Sequence, residues 1–158
     1  RSSAASDVYK RQVYSMAGSR YVLTEFSAST EEKYIRDRIY ELLSSGYKPI
    51  VAHIERYKCM KDIELVEYLV NKGAYMQVNA DSVIGKNGHG VKKYCGKLLE
   101  DELVQFIGSD CHGSKRRVTR IGDAYAYVSK KFGRQAADEI FIDNPQEILD
   151  NAKHCLSL

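Results

Sequence analysis

Lys48-Pro49-Ile50-Val51-Ala52-His53, a helical stretch from Asp62 to Gly73, then Ala74-Tyr75-Met76-Gln77-Val78-Asn79: this segment decides the fold. Its two ends are short apolar runs of strand length, the second alternating with period two. Between them Ile63, Val66, Leu69 and Val70 recur at helical spacing, with Asp62 at the N-cap and Gly73 just past the end. Pro49 falls in the first residues of its strand, where a missing N–H is tolerated. Strand, helix, strand at this spacing predicts a crossover unit with parallel strands.

The same alternation extends in both directions. Upstream, Tyr21-Val22-Leu23-Thr24-Glu25-Phe26 is a β-prone run. Ser29-Thr30-Glu31-Glu32 reads as a capping box, with Ser29 as cap and Glu32 three residues on. Ile35, Ile39, Leu42 and Leu43 then follow helical spacing, and Gly46 closes the helix. Downstream, a loop bearing Gly85, Gly88 and Gly90 leads to a helix from about Val91 to Glu100. A fourth strand spans Leu103 to Gly108, a long helix Ile121 to Phe132, and Asn144-Pro145 opens a last helix. Four strands with helices between them predict the α/β class, with a parallel sheet or barrel. Residues 1–15 lack periodicity and any apolar leader core, and read as a non-native or disordered tail. The domain is then residues 16–158.

Composition excludes several classes. Of 158 residues, 44% are hydrophobic and 28% charged, as in a folded globular domain. A net charge of +3, from 24 basic and 21 acidic residues, is too balanced to argue for nucleic acid or an anionic membrane. No apolar run approaches the ~18 residues of a membrane span. Cys59, Cys95, Cys111 and Cys155 form no C-x-x-C or zinc-ribbon pattern, and read as reduced thiols of a cytoplasmic protein. None lies in a glycine-rich loop ending in arginine, the setting a thiolate phosphatase needs.

In parallel α/β folds, chemistry gathers beyond the carboxyl ends of the strands. Here the first strand ends in Glu25, the second in His53 followed by Glu55 and Arg56, and the third in Gln77 and Asn79. The fourth runs into Ser109-Asp110-Cys111-His112. Each residue alone has a simpler reading: a histidine after a strand bonds its loop, Asp110 caps a turn, Glu25 pairs with a cation. Two imidazoles and two carboxylates at three strand ends together suit Mn²⁺, Fe²⁺ or Zn²⁺.

Ala52-His53-Ile54-Glu55-Arg56-Tyr57 and Ile107-Gly108-Ser109-Asp110-Cys111-His112 resemble two signature segments of the PHP (polymerase and histidinol phosphatase) superfamily. Within it, the resemblance is to the bacterial tyrosine-protein phosphatases of capsular and exopolysaccharide biosynthesis, whose segments usually read A-H-P-E-R-Y and S-D-A-H. Leu23-Thr24-Glu25-Phe26 is similar to the family's L-x-E-F strand, and Gln77-Val78-Asn79 and Asn144-Pro145 also match in order. The resemblance covers about residues 20–152.

The resemblance implies the C-terminal part of a distorted (β/α)7 barrel of TIM-like form, with a multinuclear site, typically Mn²⁺, Fe or Zn being alternatives. By position, Glu25, His53, Asp110 and His112 match metal ligands. Arg56 and Arg117 match phosphate-binding arginines, with Arg116 a rival for the second. The implied activity is hydrolysis of phosphotyrosine on the tail of a bacterial tyrosine kinase, in the cytoplasm. Ile54 stands where the family has proline, and Cys111 where it has alanine. The family's H-x-H strand and its nearby Asp are missing, which implies an incomplete chain, inactive alone. Other readings are a different PHP phosphoesterase, such as a histidinol-phosphate phosphatase, or a non-catalytic fragment. His89 and His154 match nothing in this scheme, while Tyr57 is placed to line the pocket.

Overall fold

The computed structural model describes residues 15–110 and 120–157. Among these, four strands form one sheet: β1 (Tyr21–Thr24), β2 (Lys48–Val51), β3 (Tyr75–Asn79) and β4 (Phe106–Gly108). Their order is β1-β2-β3-β4, and every neighbouring pair is parallel. Leu23 stands opposite Ile50, Ile50 opposite Tyr75, and Gln77 opposite Phe106. The helices are α1 (Glu32–Ser44), α2 (Ile63–Asn71), the single turn α3 (Ala80–Val83), α4 (His89–Glu100), α5 (Ile121–Phe132), α6 (Arg134–Asp138) and α7 (Asn144–Leu156). The α/β class and parallel sheet expected from the alternating pattern are therefore observed.

Period-two alternation assigns the two faces of the sheet. Val51, Met76, Val78 and Ile107 point into the main core, against Ile35 and Ile39 of α1, Val66 and Leu69 of α2, Leu98 of α4 and Val128 of α5. Tyr21, Ile50 and Phe106 face the other way and pack with Ile148 of α7, joined by Tyr75 and Met16. Asn144 ties α7 to this face by donating its Nδ2 to the Gln105 carbonyl at 2.8 Å. Among the described residues no helix is long and apolar enough to cross a membrane.

Three helices end identically and hand the chain straight to the next strand. After α1, the N–H of Gly46 bonds Leu43 O and that of Tyr47 bonds Leu42 O, both at 3.0 Å. After α2, Gly73 bonds Val70 O and Ala74 bonds Leu69 O, again at 3.0 Å. After α4, Glu102 bonds Leu99 O at 3.1 Å and Leu103 bonds Leu98 O at 2.9 Å. This closure requires a left-handed residue at its corner. Gly46 (φ +81°) and Gly73 (φ +108°) supply it without a Cβ penalty, whereas Glu102 adopts φ +58° as a non-glycine.

Several local expectations change. Ser29 does not cap α1: the helix starts at Glu32, with Glu31 at the N-cap and no side-chain cap bond. The hydroxyls of Ser27 and Thr30 instead pair at 2.9 Å, and Thr30 N–H bonds Ser27 O, so a tight turn consumes the segment before the helix. Asp62 caps α2 as expected, accepting the Glu64 N–H at 3.0 Å. β4 begins only at Phe106, because Gln105 offers its side-chain oxygen to the Met76 N–H at 2.8 Å in place of a main-chain carbonyl. The periodicity also leaves out α6 and the π-helical turn Glu139–Asp143 that runs on into α7.

Candidate functional site at the carboxyl ends of the strands

Glu25, His53, Gln77, Asn79 and Asp110 line one cavity of about 400 Å³, floored by Ile50, Phe106 and Ile148. The parity of the sheet places them there. Gln77 and Asn79 share the face of Tyr75, and Glu25 and Asp110 lie just beyond β1 and β4. Three of the four expected ligand positions thus border a common space. The fourth, His112, lies outside the described residues, as do Arg116, Arg117 and Cys111.

His53 and Asp110 both adopt left-handed backbone conformations, with φ +38° and +48°. Such conformations cost ~1–2 kcal/mol for a residue with a Cβ and persist where surrounding contacts over-determine them. At His53 the contact is visible: its N–H donates to Gln77 Oε1 at 2.7 Å. Its imidazole Nε2 lies 3.5 Å from Glu25 Oε1, while Nδ1 is buried with no hydrogen-bond partner among the described residues. Asp110 Oδ2 accepts from Asn79 Nδ2 at 3.3 Å and also meets the Arg56 guanidinium. Arg56 therefore faces the cavity mouth, about half exposed, while the Asp110 side chain is only 12% exposed.

Glu55 is the buried acid of the site, at 5% exposure. Its Oε1 accepts the Asn79 N–H at 2.9 Å and the Ser82 hydroxyl at 2.8 Å, which ties the turn after β2 to the turn after β3. Lys61 closes the same turn by donating Nζ to the Glu55 carbonyl at 2.7 Å. Tyr57 does not line the pocket. It is 1% exposed, stacks edge-on with Phe26 and tilted with His53, and accepts the Phe26 N–H at 3.1 Å. Burial pushes its phenol up to about 12, so it is neutral in the fold. It thereby fastens the end of β1, where Glu25 sits, to the turn that carries His53.

Sequence reasoning placed Gln77, Asn79 and Glu55 at strand ends but gave them no part. Their signal was available: Gln77 and Asn79 are two polar residues two apart on a strand whose other face is wholly apolar. His89 and His154 are exposed. Cys59 and Cys95 are poor nucleophiles: burial raises Cys59 and pushes Cys95 up to about 12.

The donor chemistry fits a divalent cation in kind: an imidazole with an unpartnered buried nitrogen, next to carboxylates. Among the described residues, however, no group of three or more His, Cys, Asp or Glu side chains is close enough to hold an ion. The described part of the site is a partial donor set.

A parallel α/β sheet that gathers an imidazole, carboxylates and a guanidinium at the carboxyl ends of its strands holds its polar chemistry where proteins of this class bind their ligands. The chain belongs to the CpsB/CapC family of capsular polysaccharide synthesis, which it matches over residues 1–150. It is 34% identical over 152 residues to the tyrosine-protein phosphatase CpsB of Streptococcus pneumoniae, covering 92% of this chain and 63% of that protein. It is 33% identical over 130 residues to the tyrosine-protein phosphatase YwqE of Bacillus subtilis, covering 82% and 51%. A solved chain from crystal structures of YwqE and the Streptococcus pneumoniae CpsB, metal-dependent tyrosine phosphatases, superposes with a TM-score of 0.76 and 29% identity. That superposition covers 99% of this chain and 61% of the solved one. The chain thus spans less than two thirds of the length of these relatives.

Proposed function

We propose that this chain carries the C-terminal part of a metal-dependent protein-tyrosine phosphatase. Its substrate is phosphotyrosine on the tail of a bacterial kinase that controls capsular or exopolysaccharide synthesis in the cytoplasm. The observation that carries the reading is the shared cavity of Glu25, His53 and Asp110, with Arg56 at its mouth. The sequential order of four parallel strands supports a distorted seven-stranded PHP barrel, in which residues 16–158 supply β1 to β4.

Glu25, His53, Asp110 and His112 are the proposed metal ligands, with Mn²⁺ the proposed ion. A bound ion of this kind supplies a hydroxide near neutral pH and polarises the phosphoryl group. The chain's own residues do the rest. Arg56 and Arg117 present forked N–H donors to the phosphate oxygens and hold them through the displacement. Glu55 and Tyr57 fix the turn from which His53 and Arg56 project. No cysteine is needed as nucleophile, in keeping with the raised thiols.

The test is a chimera in which this chain is joined to the part of the Streptococcus pneumoniae relative that it does not span. Mn²⁺-stimulated, chelator-sensitive hydrolysis of a phosphotyrosine peptide is expected. Faster turnover of histidinol phosphate would assign the site to a different PHP phosphoesterase.

A further inference from the structure

The mouth of the cavity is crossed by a continuous run of side-chain amides on β3. Gln77 Oε1 accepts the His53 N–H at 2.7 Å. Gln77 Nε2 lies 3.3 Å from Asn79 Oδ1, and Asn79 Nδ2 lies 3.3 Å from Asp110 Oδ2. The run begins at one left-handed strand end and finishes at the other, 57 positions apart by residue number (110 − 53). Both amides use donor and acceptor at once, so neither can turn over without breaking a contact.

A second observation is independent of these bonds. A Cβ built on Gly108 would stand 2.3 Å from Gln77 Nε2 and 3.3 Å from its Cδ. The Gln77 side chain therefore lies flat across the β4 backbone, in space that only a glycine leaves open. Gly108 takes ordinary strand geometry, so close approach rather than backbone freedom explains it.

We propose that Gln77 and Asn79, seated over Gly108, are positioning residues that set the two strand ends carrying His53 and Asp110. Gln77 acts through the main chain of His53, holding the left-handed turn that aims the imidazole at Glu25. Asn79 acts on the Asp110 carboxylate, holding its Oδ2 from the β3 side. Partners that orient ligands in this way commonly change metal affinity by ~10–100-fold when removed. The inference rests on the metal-site reading for its consequence, but the amide run itself does not.

The experiment uses the 158-residue chain and two readouts. The first is hydrogen exchange of the His53 amide by NMR, which needs no metal. Gln77→Leu removes the acceptor and should speed this exchange at least ~10-fold relative to core amides such as Val78. Gln77→Glu keeps the acceptor and should restore protection. Gly108→Ala, which crowds Gln77 without touching His53, should behave as Gln77→Leu does. The second readout is Mn²⁺-induced broadening of the His53 and Asp110 signals. The half-effect concentration should rise ~10-fold in Gln77→Leu and in Asn79→Leu. Unchanged exchange in both Gln77→Leu and Gly108→Ala overturns the proposal, as does unchanged broadening in folded Gln77→Leu and Asn79→Leu. Absence of any broadening in the wild-type chain would defeat the metal reading instead, leaving the exchange result to decide whether the amides position the turn.

Discussion

Arg56 and Asp110, from the turns after β2 and β4, meet side chain to side chain across the cavity mouth. The guanidinium is half exposed and the carboxylate nearly enclosed, so the arginine is the movable partner. A carboxylate proposed to hold a cation is here neutralised by the very residue proposed to hold phosphate. Both roles are compatible if Arg56 exchanges Asp110 for a substrate oxygen, since the fork suits either anion. In the chimera, Arg56→Ala is expected to lower kcat for a phosphotyrosine peptide ~100-fold, the usual scale for one preorganised donor. Metal content per protein should be unchanged. Arg56→Lys should recover little, because a point charge cannot replace the fork. Parallel loss of bound Mn²⁺ would make Arg56 a structural residue.

Glu55 sets a second expectation, on stability. Its Oε1 accepts from both the Asn79 N–H and the Ser82 hydroxyl inside the protein. Glu55→Ala leaves both donors buried and unsatisfied, and should cost ~3 kcal/mol in urea unfolding of the chain. Glu55→Gln retains an oxygen acceptor at the same reach and should cost well under half as much. Equal losses would mean that the negative charge, not the acceptor, holds the two turns together.

How far this site was legible in the sequence follows from which contacts are local. The strands, α2 with its Asp62 cap, and the closures at Gly46 and Gly73 are set by residues within a few positions of one another, and pattern reading finds them. Glu25, His53 and Asp110 were also legible, because a parallel sheet puts all carboxyl ends at one edge. The Ser29 cap failed for a local reason the pattern cannot weigh: Ser27 and Thr30 hydroxyls compete for the same turn. Gln77, Asn79 and Glu55 were named without a role because their partners lie on other strand ends. A glutamine on a strand becomes informative only once Gly108 is known to lie beneath it.

Glu102 offers a test of the fold that is independent of the site. It occupies the left-handed corner after α4 that Gly46 and Gly73 fill after α1 and α2. It is exposed and has no hydrogen bond described from its side chain, so replacement should leave packing untouched. Glu102→Gly removes the Cβ strain, worth ~1 kcal/mol, less the added entropy of the unfolded glycine. The net expectation is a chain more stable by ~0.5 kcal/mol, whereas Glu102→Ala, which keeps the Cβ, should show no gain. Thermal unfolding of the three proteins checks this, and a gain from alanine would trace the effect to charge.

The raised acids of the core predict how stability changes with pH. Burial pushes the Cys95 thiol from its ordinary 9.0 up to about 12, and the Tyr57 phenol from 10.0 up to about 12. In both cases the fold favours the protonated, neutral form. The unfolded chain therefore releases these protons at lower pH than the native one, and stability must fall as pH rises between the two values. The contribution is fully present below pH ~9, and each group draws stability down by at most ~1.4 kcal/mol per pH unit above its unfolded value, the effect ending near pH 12. Cys95 titrates ahead of the phenols in the unfolded chain and shares the window above pH 9 with the raised Cys59 thiol, so removing Cys95 takes out one of the two earliest contributions. Urea midpoints of the wild-type chain are expected to decline across that window, while Cys95→Ala, though less stable at pH 7, should decline less steeply. Parallel slopes for the two proteins would show that burial does not hold the Cys95 thiol in its protonated form.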